Sequence, residues 1–450
     1  MSASRDLAEI YHAAIEAVDP FRAVLDAVKV EGNLLSVSGE NFDLSEYNRI
    51  IVIGAGKATG RMAQAIESRL GSRISEGLVI VKEGHGVRLD MIEQIEASHP
   101  IPDEKGEEGA RRILEMAEKA DERTLLLCLF SGGASSLLVL PEDDLTLQDK
   151  KAATALLLNS GASISELNAV RKHLSKVKGG RLAMAAYPAR ILTLVVSDVI
   201  GDRQDVIASG PTASDGSAYN DALDAIEKYG LEEKMPERVI AHLEKGKAGL
   251  FQETLKQSRG EALFVVANIG QALAAAKNQA ERLGYRTEIV SSTLQGEARK
   301  AAEFLSGIAL AKDILPLCLL SGGETTVTVR GEGKGGRNQE LALAFAIAVE
   351  GREGISMLSA GTDGTDGPTD AAGAIVDGHT CLSARLFGLI PESYLEANDS
   401  YGFFDALDAS SGMQSHFRTG PTGTNVMDIQ IILLKSRAFC ASAAACPEGP

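Results

Sequence analysis

The sequence is short of basic residues: 45 lysines and arginines stand against 62 aspartates and glutamates, for a net charge of -17. Such a surface repels polyphosphate backbones and anionic bilayers unless cations are gathered locally, so nucleic acid is excluded as a general partner. Long apolar runs are also missing. None reaches the roughly 18–20 residues needed to cross a bilayer, and the start, MSASRDLAEIYHAAIEAVDP, has an amphipathic helical pattern without the apolar stretch of a signal peptide. A cytoplasmic protein without membrane contact is expected. The five cysteines, at 128, 318, 381, 440 and 446, contain no Cys-x-x-Cys pair. Most sit in apolar strand-like runs, which predicts buried reduced thiols rather than disulfides or a zinc site.

What is present is a chain of 450 residues, 44% hydrophobic, and a single core stops growing at about 250–300 residues, so two domains are expected. Leucine-rich or β-branched runs ending in glycine turns recur at RIIVIGAG (49–56), GLVIVKEG (77–84), TLLLCLFSGG (124–133) and RILTLVVSDVIGD (190–202). Strands apolar on both faces and alternating with helices indicate a parallel sheet covered on two sides. The polar, helix-breaking stretch 213–260 marks a boundary, and strands resume with EALFVVAN (261–268), YRTEIVSS, LPLCLLSGGETTVTV and GISMLSAGTDGTDG. The expected division is 1–255 and 256–450, both α/β. Residues 127–136 (LCLFSGGASS) and 317–326 (LCLLSGGETT) match at six of ten places. Either two buried strands end in similar turns, or Ser131, Gly132, Gly133 and Ser135 pair with Ser321, Gly322 and Gly323 as two ligand loops at strand ends.

The turn Gly54-Ala55-Gly56-Lys57-Ala58-Thr59-Gly60 follows a strand and opens a helix, a place where glycines let amides approach a phosphate. It lacks the glycine spacing and the Lys-Ser/Thr pair of a P-loop. A dinucleotide fingerprint also fails, because the third glycine falls one place late and the acid expected about 20 positions on is missing, the next strand ending in Lys82 and Glu83 well downstream. The remaining reading is a phosphate turn with Lys57 aimed at a transferred group. Downstream, Arg171, Lys172, His173, Lys176, Lys178 and Arg181 place six basic residues within eleven positions, beside Gly179-Gly180. That is either a solvated helix face or, for Arg171, His173 and Lys178, a site for a carboxylate or phosphate. Asp198 ends an apolar run, and Asp363, Asp366 and Asp370 fall within eight positions of glycine-rich chain. Such carboxylates either cap turns or help to hold magnesium, with Asp198, Asp363 and Asp366 as the candidate ligands. The run lacks the spacing and closing glutamate of a calcium loop. Finally, Arg337 follows four glycines and opens the helical run LALAFAIAV. A cation at a helix N-terminus needs an anionic partner, and a polyphosphate supplies one.

The strings VIGAGKA, SGGASSLL, LNAVRKHLSKVKGGRLA, SDVIGD with ASGPT, SGGETTVTVRGEGKGGRNQE, AGTDGTDGPTDAAGA and TGPTGTNVMDI resemble those of the MOFRL-type glycerate 2-kinases from about residue 5 to 435. The resemblance implies a Rossmann-like N-terminal domain, a smaller C-terminal α/β domain, and a site in the cleft between them. It implies transfer of the ATP γ-phosphate to the 2-hydroxyl of D-glycerate, with Lys57 and Arg337 catalytic and ATP and magnesium as cofactors. Gly54, Gly56 and the two Ser-Gly-Gly turns then serve the nucleotide. Members are also labelled hydroxypyruvate reductases, so NAD(P)H-dependent reduction is the alternative activity. A monomer and a homodimer both fit, and the tail 435–450 is assigned no role.

Overall fold

The computed structural model describes residues 3–435, so Cys440, Cys446 and the tail beyond Lys435 lie outside the described residues. Among those described, Cys128, Cys318 and Cys381 are buried thiols, and no helix is long and apolar enough to cross a membrane. The chain is α/β and divides into two units, Asp19–Ala267 and Met1–Val18 with Asn268–Pro450.

The Asp19–Ala267 unit begins with an antiparallel meander of β1 (Val28–Glu31), β2 (Leu34–Val37) and β3 (Glu40–Asp43). Its main sheet contains β4 (Arg49–Ala55), β5 (Glu76–Lys82), β6 (Glu93–Ala97), β7 (Thr124–Phe130), β8 (Arg190–Val196) and β9 (Ala262–Ala267). The order is β6-β5-β4-β7-β8-β9 and every pairing is parallel. Counted within the sheet this is 3-2-1-4-5-6, the Rossmann order. All of β7 is buried, as is β4 beyond Arg49, which is why these strands read as unbroken apolar runs rather than alternating ones. The run EALFVVAN, expected to start the second unit, instead supplies the sixth strand of the first, because β9 pairs with β8.

The other unit carries a mixed sheet of β10 (Arg286–Leu294), β11 (Leu317–Gly323), β12 (Ile355–Gly361), β13 (Gly373–Asp377), β14 (His416–Phe417) and β15 (Asp428–Leu434). The order is β10-β11-β15-β12-β13-β14, and only β10 and β11 run parallel. β15, buried along its length, is held between β11 and β12. The N-terminal helix Ala3–Ala17 belongs here, against the helix Ile269–Arg282. Buried Tyr11 donates to the Gly361 carbonyl at 2.8 Å, and Asp6 accepts from the Tyr285 hydroxyl at 2.6 Å and from Lys435 at 2.9 Å. Those bonds, spanning 279 to 429 positions of sequence, explain why an amphipathic N-terminal segment does not stay with the residues that follow it.

Candidate active site

In a doubly wound sheet the crossovers on either side of the first strand leave on opposite faces, opening a crevice beyond the carboxyl ends of the strands. Here that point lies between β4 and β7, and the two turns that follow them are Gly54–Gly60 and Ser131–Ser135. Gly56 sits at φ 142°, and a Cβ there would overlap the hydroxyl and carbonyl of Ser131, so the turns can touch only because this residue is glycine. Their backbones interlock: the amides of Gly56, Lys57 and Ala58 donate to Ile80 O (3.0 Å), Gly132 O (2.9 Å) and Ser131 Oγ (3.0 Å). This corrects the expectation that the first turn offers its amides to a phosphate. All three are engaged within the unit, and the turn acts as a mount for Lys57. The amides of Gly132 and Gly133, by contrast, donate to no chain acceptor among the described residues.

Basic groups crowd this mount. The Lys57 side chain runs beside Gly133, and the His99 ring faces the same glycine. The Nδ1 of His85 lies 3.2 Å from the Lys57 carbonyl. Burial first, then the charges of Lys57, Lys82 and His85, push His99 down to about 4, so it is a neutral imidazole at neutral pH. Lys82, His85 and His99 were not picked out from sequence. Their only signal is position, at or just past the ends of β5 and β6, which becomes informative once strand order is known.

The basic stretch 171–181 resolves into two groups. Lys172 binds Asp215 at 2.8 Å, Arg181 binds Glu142 at 3.2 Å, and Lys176 pairs with Asp143. His173, expected to bind substrate, is buried elsewhere: its nitrogens meet the Ala169 carbonyl (2.7 Å) and Glu253 (3.0 Å), and its ring packs on Tyr219. Arg171 and Lys178 instead line a 480 Å³ cavity together with Ser135 and Lys150. Beside it Ser135 Oγ, Ser209 Oγ and Asn168 Oδ1 form a chain of 3.0 and 3.1 Å contacts. Ala208 and Ser209 both have positive φ, 55° and 62°, a strained backbone of the kind that concentrates at functional sites.

In the other unit two expectations change. Ser321, Gly322 and Gly323 do not form a loop but end β11 itself, paired to β15. Ser321 donates to Gln430 at 3.0 Å, and a Cβ on Gly322 would collide with Ile269. The repeat of Ser-Gly-Gly therefore reflects close packing here, not a second ligand turn. Arg337 does open the helix Arg337–Ala348, but its anionic partners belong to the protein. Nε and a terminal nitrogen grip Asp428 at 2.6 and 2.9 Å, and Glu324 lies at 3.2 Å. Burial opposes the guanidinium charge, yet Asp428 and Glu324 outweigh it and raise the Arg337 pKa.

Asp366 caps the same helix, accepting from the amides of Asn338 (3.0 Å) and Gln339 (2.9 Å) and from the Gln339 side chain (3.0 Å). Burial, only partly offset by those bonds, raises it to about 6. With its oxygens taken, Asp366 does not fit the expected role of metal ligand. Asp363 caps its own turn through Thr365, while Asp198 follows β8 in the Asp19–Ala267 unit. Among the described residues no three His, Cys, Asp or Glu side chains gather as a metal cluster. Asp366→Ala should therefore lower stability by about 1–2 kcal/mol, the scale of a lost cap, while leaving any magnesium requirement of activity unchanged. Denaturant melts and a magnesium titration of the variant check both halves, and a shifted magnesium midpoint would restore Asp366 as a ligand.

A Rossmann-ordered sheet with a lysine mounted at its switch point, beside two glycine amides without a chain acceptor among the described residues and a cavity lined by cations, suits an α/β enzyme that handles an anion, as a phosphotransferase does. Comparison with known proteins agrees. Residues 6–244 match the model of a domain of unknown function, DUF4147, and residues 317–428 match the MOFRL family. A D-glycerate 2-kinase of Thermotoga maritima is 44% identical across 95% of this chain and 97% of its own. The crystal structure of a glycerate kinase from the same organism superposes with a TM-score of 0.83, at 43% identity, covering 96% of this chain and all of that one. A protein of Agrobacterium vitis, provisionally named hydroxypyruvate reductase, is 40% identical across 96% of this chain and 95% of its own. The chain belongs to the glycerate 2-kinase family with a MOFRL domain.

Proposed function

We propose that this enzyme transfers the γ-phosphoryl group of ATP to the 2-hydroxyl of D-glycerate, giving 2-phosphoglycerate. The observation that carries the reading is the switch-point arrangement: Lys57 fixed by an interlocked turn, with the Gly132 and Gly133 amides directed to no acceptor among the described residues. Phosphoryl transfer needs positioning and charge stabilisation rather than a covalent intermediate, and this arrangement offers a cation and two amide donors. Ser131 serves indirectly, since its hydroxyl caps the turn that carries Lys57. Arg337 is assigned to the developing phosphoryl charge, and Arg171 and Lys178 to the acid substrate. Magnesium enters with the nucleotide, held chiefly by phosphate oxygens with one carboxylate, Asp198 or Asp363.

The reductase reading has a specific weakness. A dinucleotide's ribose is gripped by an acid about 20 residues past the glycine turn, and the acid at the end of β5, Glu83, follows Lys82 and falls later than that. Purified protein should convert D-glycerate and ATP to 2-phosphoglycerate, lose that activity in EDTA, and regain it on adding magnesium. Oxidation of NAD(P)H by hydroxypyruvate at a comparable rate, with ATP left intact, would reverse the assignment. Full turnover in excess EDTA removes the metal.

A further inference from the structure

The 480 Å³ cavity in the Asp19–Ala267 unit holds a feature the sequence did not disclose. Lys150 and Lys178 are 5% and 1% exposed, and their ammonium groups meet only carbonyls. Lys150 reaches Leu174 O at 3.1 Å and Arg171 O at 3.4 Å, and Lys178 reaches Ala208 O at 3.4 Å. Among the described residues neither lysine nor Arg171 has an ion-pair partner. The one acid that acts on Lys150, Glu142, is bound to Arg181. Burying cations without a counter-charge is costly, and a lysine still has unused N–H donors after one or two carbonyls. The strained turn at Ala208–Ser209 and the Ser135–Ser209–Asn168 chain lie alongside.

We propose that Lys150, Arg171 and Lys178 form the site that holds the carboxylate of the three-carbon acid substrate, with Lys150 a binding residue. This rests on the kinase reading for the identity of the acid. The charge balance favours a carboxylate over a triphosphate. Burial, partly offset by Glu142 and aided by Arg171 and Arg181, brings Lys150 down to about 7. Burial, with the charges of Lys150 and Arg171, brings Lys178 well below its ordinary value. With both lysines held below their ordinary values, the lining carries less than three full charges, which suits one carboxylate better than a triphosphate. Both lysines are held below their ordinary values, so an arriving anion favours their charged forms and a proton is taken up.

The test is calorimetric titration of D-glycerate into the full chain at pH 7, with and without a non-hydrolysable ATP analogue, in two buffers of different ionisation enthalpy. Net proton uptake on glycerate binding is expected. Lys150→Met, which replaces a buried charge by an apolar chain of similar length and should fold, is expected to reduce that uptake. It should raise KM for D-glycerate by at least roughly 30-fold, with KM for ATP nearly unchanged. Arg171→Gln should raise the same KM, as a second variant that removes a partly exposed group. Glycerate binding unaltered in both variants, binding without proton uptake, or a rise in KM for ATP instead overturns the proposal. Wild-type protein that takes up glycerate with a proton yet never phosphorylates it keeps this site and refutes only the kinase reading.

Discussion

Arg337→Ala is expected to lower both turnover, by about 10²–10³, and thermal stability. The stability loss follows from Asp428, which is fully buried and takes two hydrogen bonds from the guanidinium. Breaking a buried pair by removing one partner typically costs ~3–5 kcal/mol. The figure here lies at the low end, about 3 kcal/mol, because the Arg337 side chain is 31% exposed and solvent screens the pair. That corresponds to a fall in Tm of roughly 6–12 °C for a unit of this size. Arg337→Lys should recover only part of either loss, since one ammonium cannot replace the two-donor fork. The double variant Arg337→Ala/Asp428→Asn separates the two roles. It removes the orphaned carboxylate, so melting should return toward wild type while turnover stays low. Recovery of both in the double variant would falsify a direct role for Arg337 in phosphoryl transfer and leave it as the counter-ion of Asp428.

Lys57→Ala should show the opposite profile: turnover reduced by roughly 10²–10³ with Tm almost unchanged. The bonds that shape its turn run through backbone amides and the Ser131 hydroxyl, none of which the substitution removes. A second readout is available at His99, whose charged form is disfavoured by burial first and by Lys57 next. Removing the Lys57 charge should move the His99 midpoint upward from about 4 in an NMR titration, by part of the shift only, because the burial remains. Stability also carries a sign. A histidine whose folded pKa lies below its unfolded value binds more protons when unfolded, so its contribution is intact above about 6.5 and is lost as pH falls toward 4. Normal turnover in Lys57→Ala would make the first glycine turn a packing device and move the phosphate site elsewhere.

The apolar runs of β4, β7 and β8 and their glycine endings were legible as a parallel sheet because burial on both faces leaves an unmistakable composition. Lys57 could be singled out for the same local reason, lying on a turn between strand and helix. Sequence by itself determined the fold class, the lack of an apolar run long enough for a membrane-crossing helix, the glycine turns and the family. The tertiary structure decided which of the charged residues are spent. Of the six cations in 171–181, Lys172, His173, Lys176 and Arg181 found acidic partners far along the chain, leaving Arg171 and Lys178 to join Lys150. Two identical Ser-Gly-Gly tripeptides diverged because one follows β7 as a turn and the other is paired within β11. The anion opposite Arg337 proved to be Asp428, 91 residues away. In each case the deciding quantity is a charge or a close contact between segments remote in sequence, and pairing across such distances is set by strand order rather than by any local pattern.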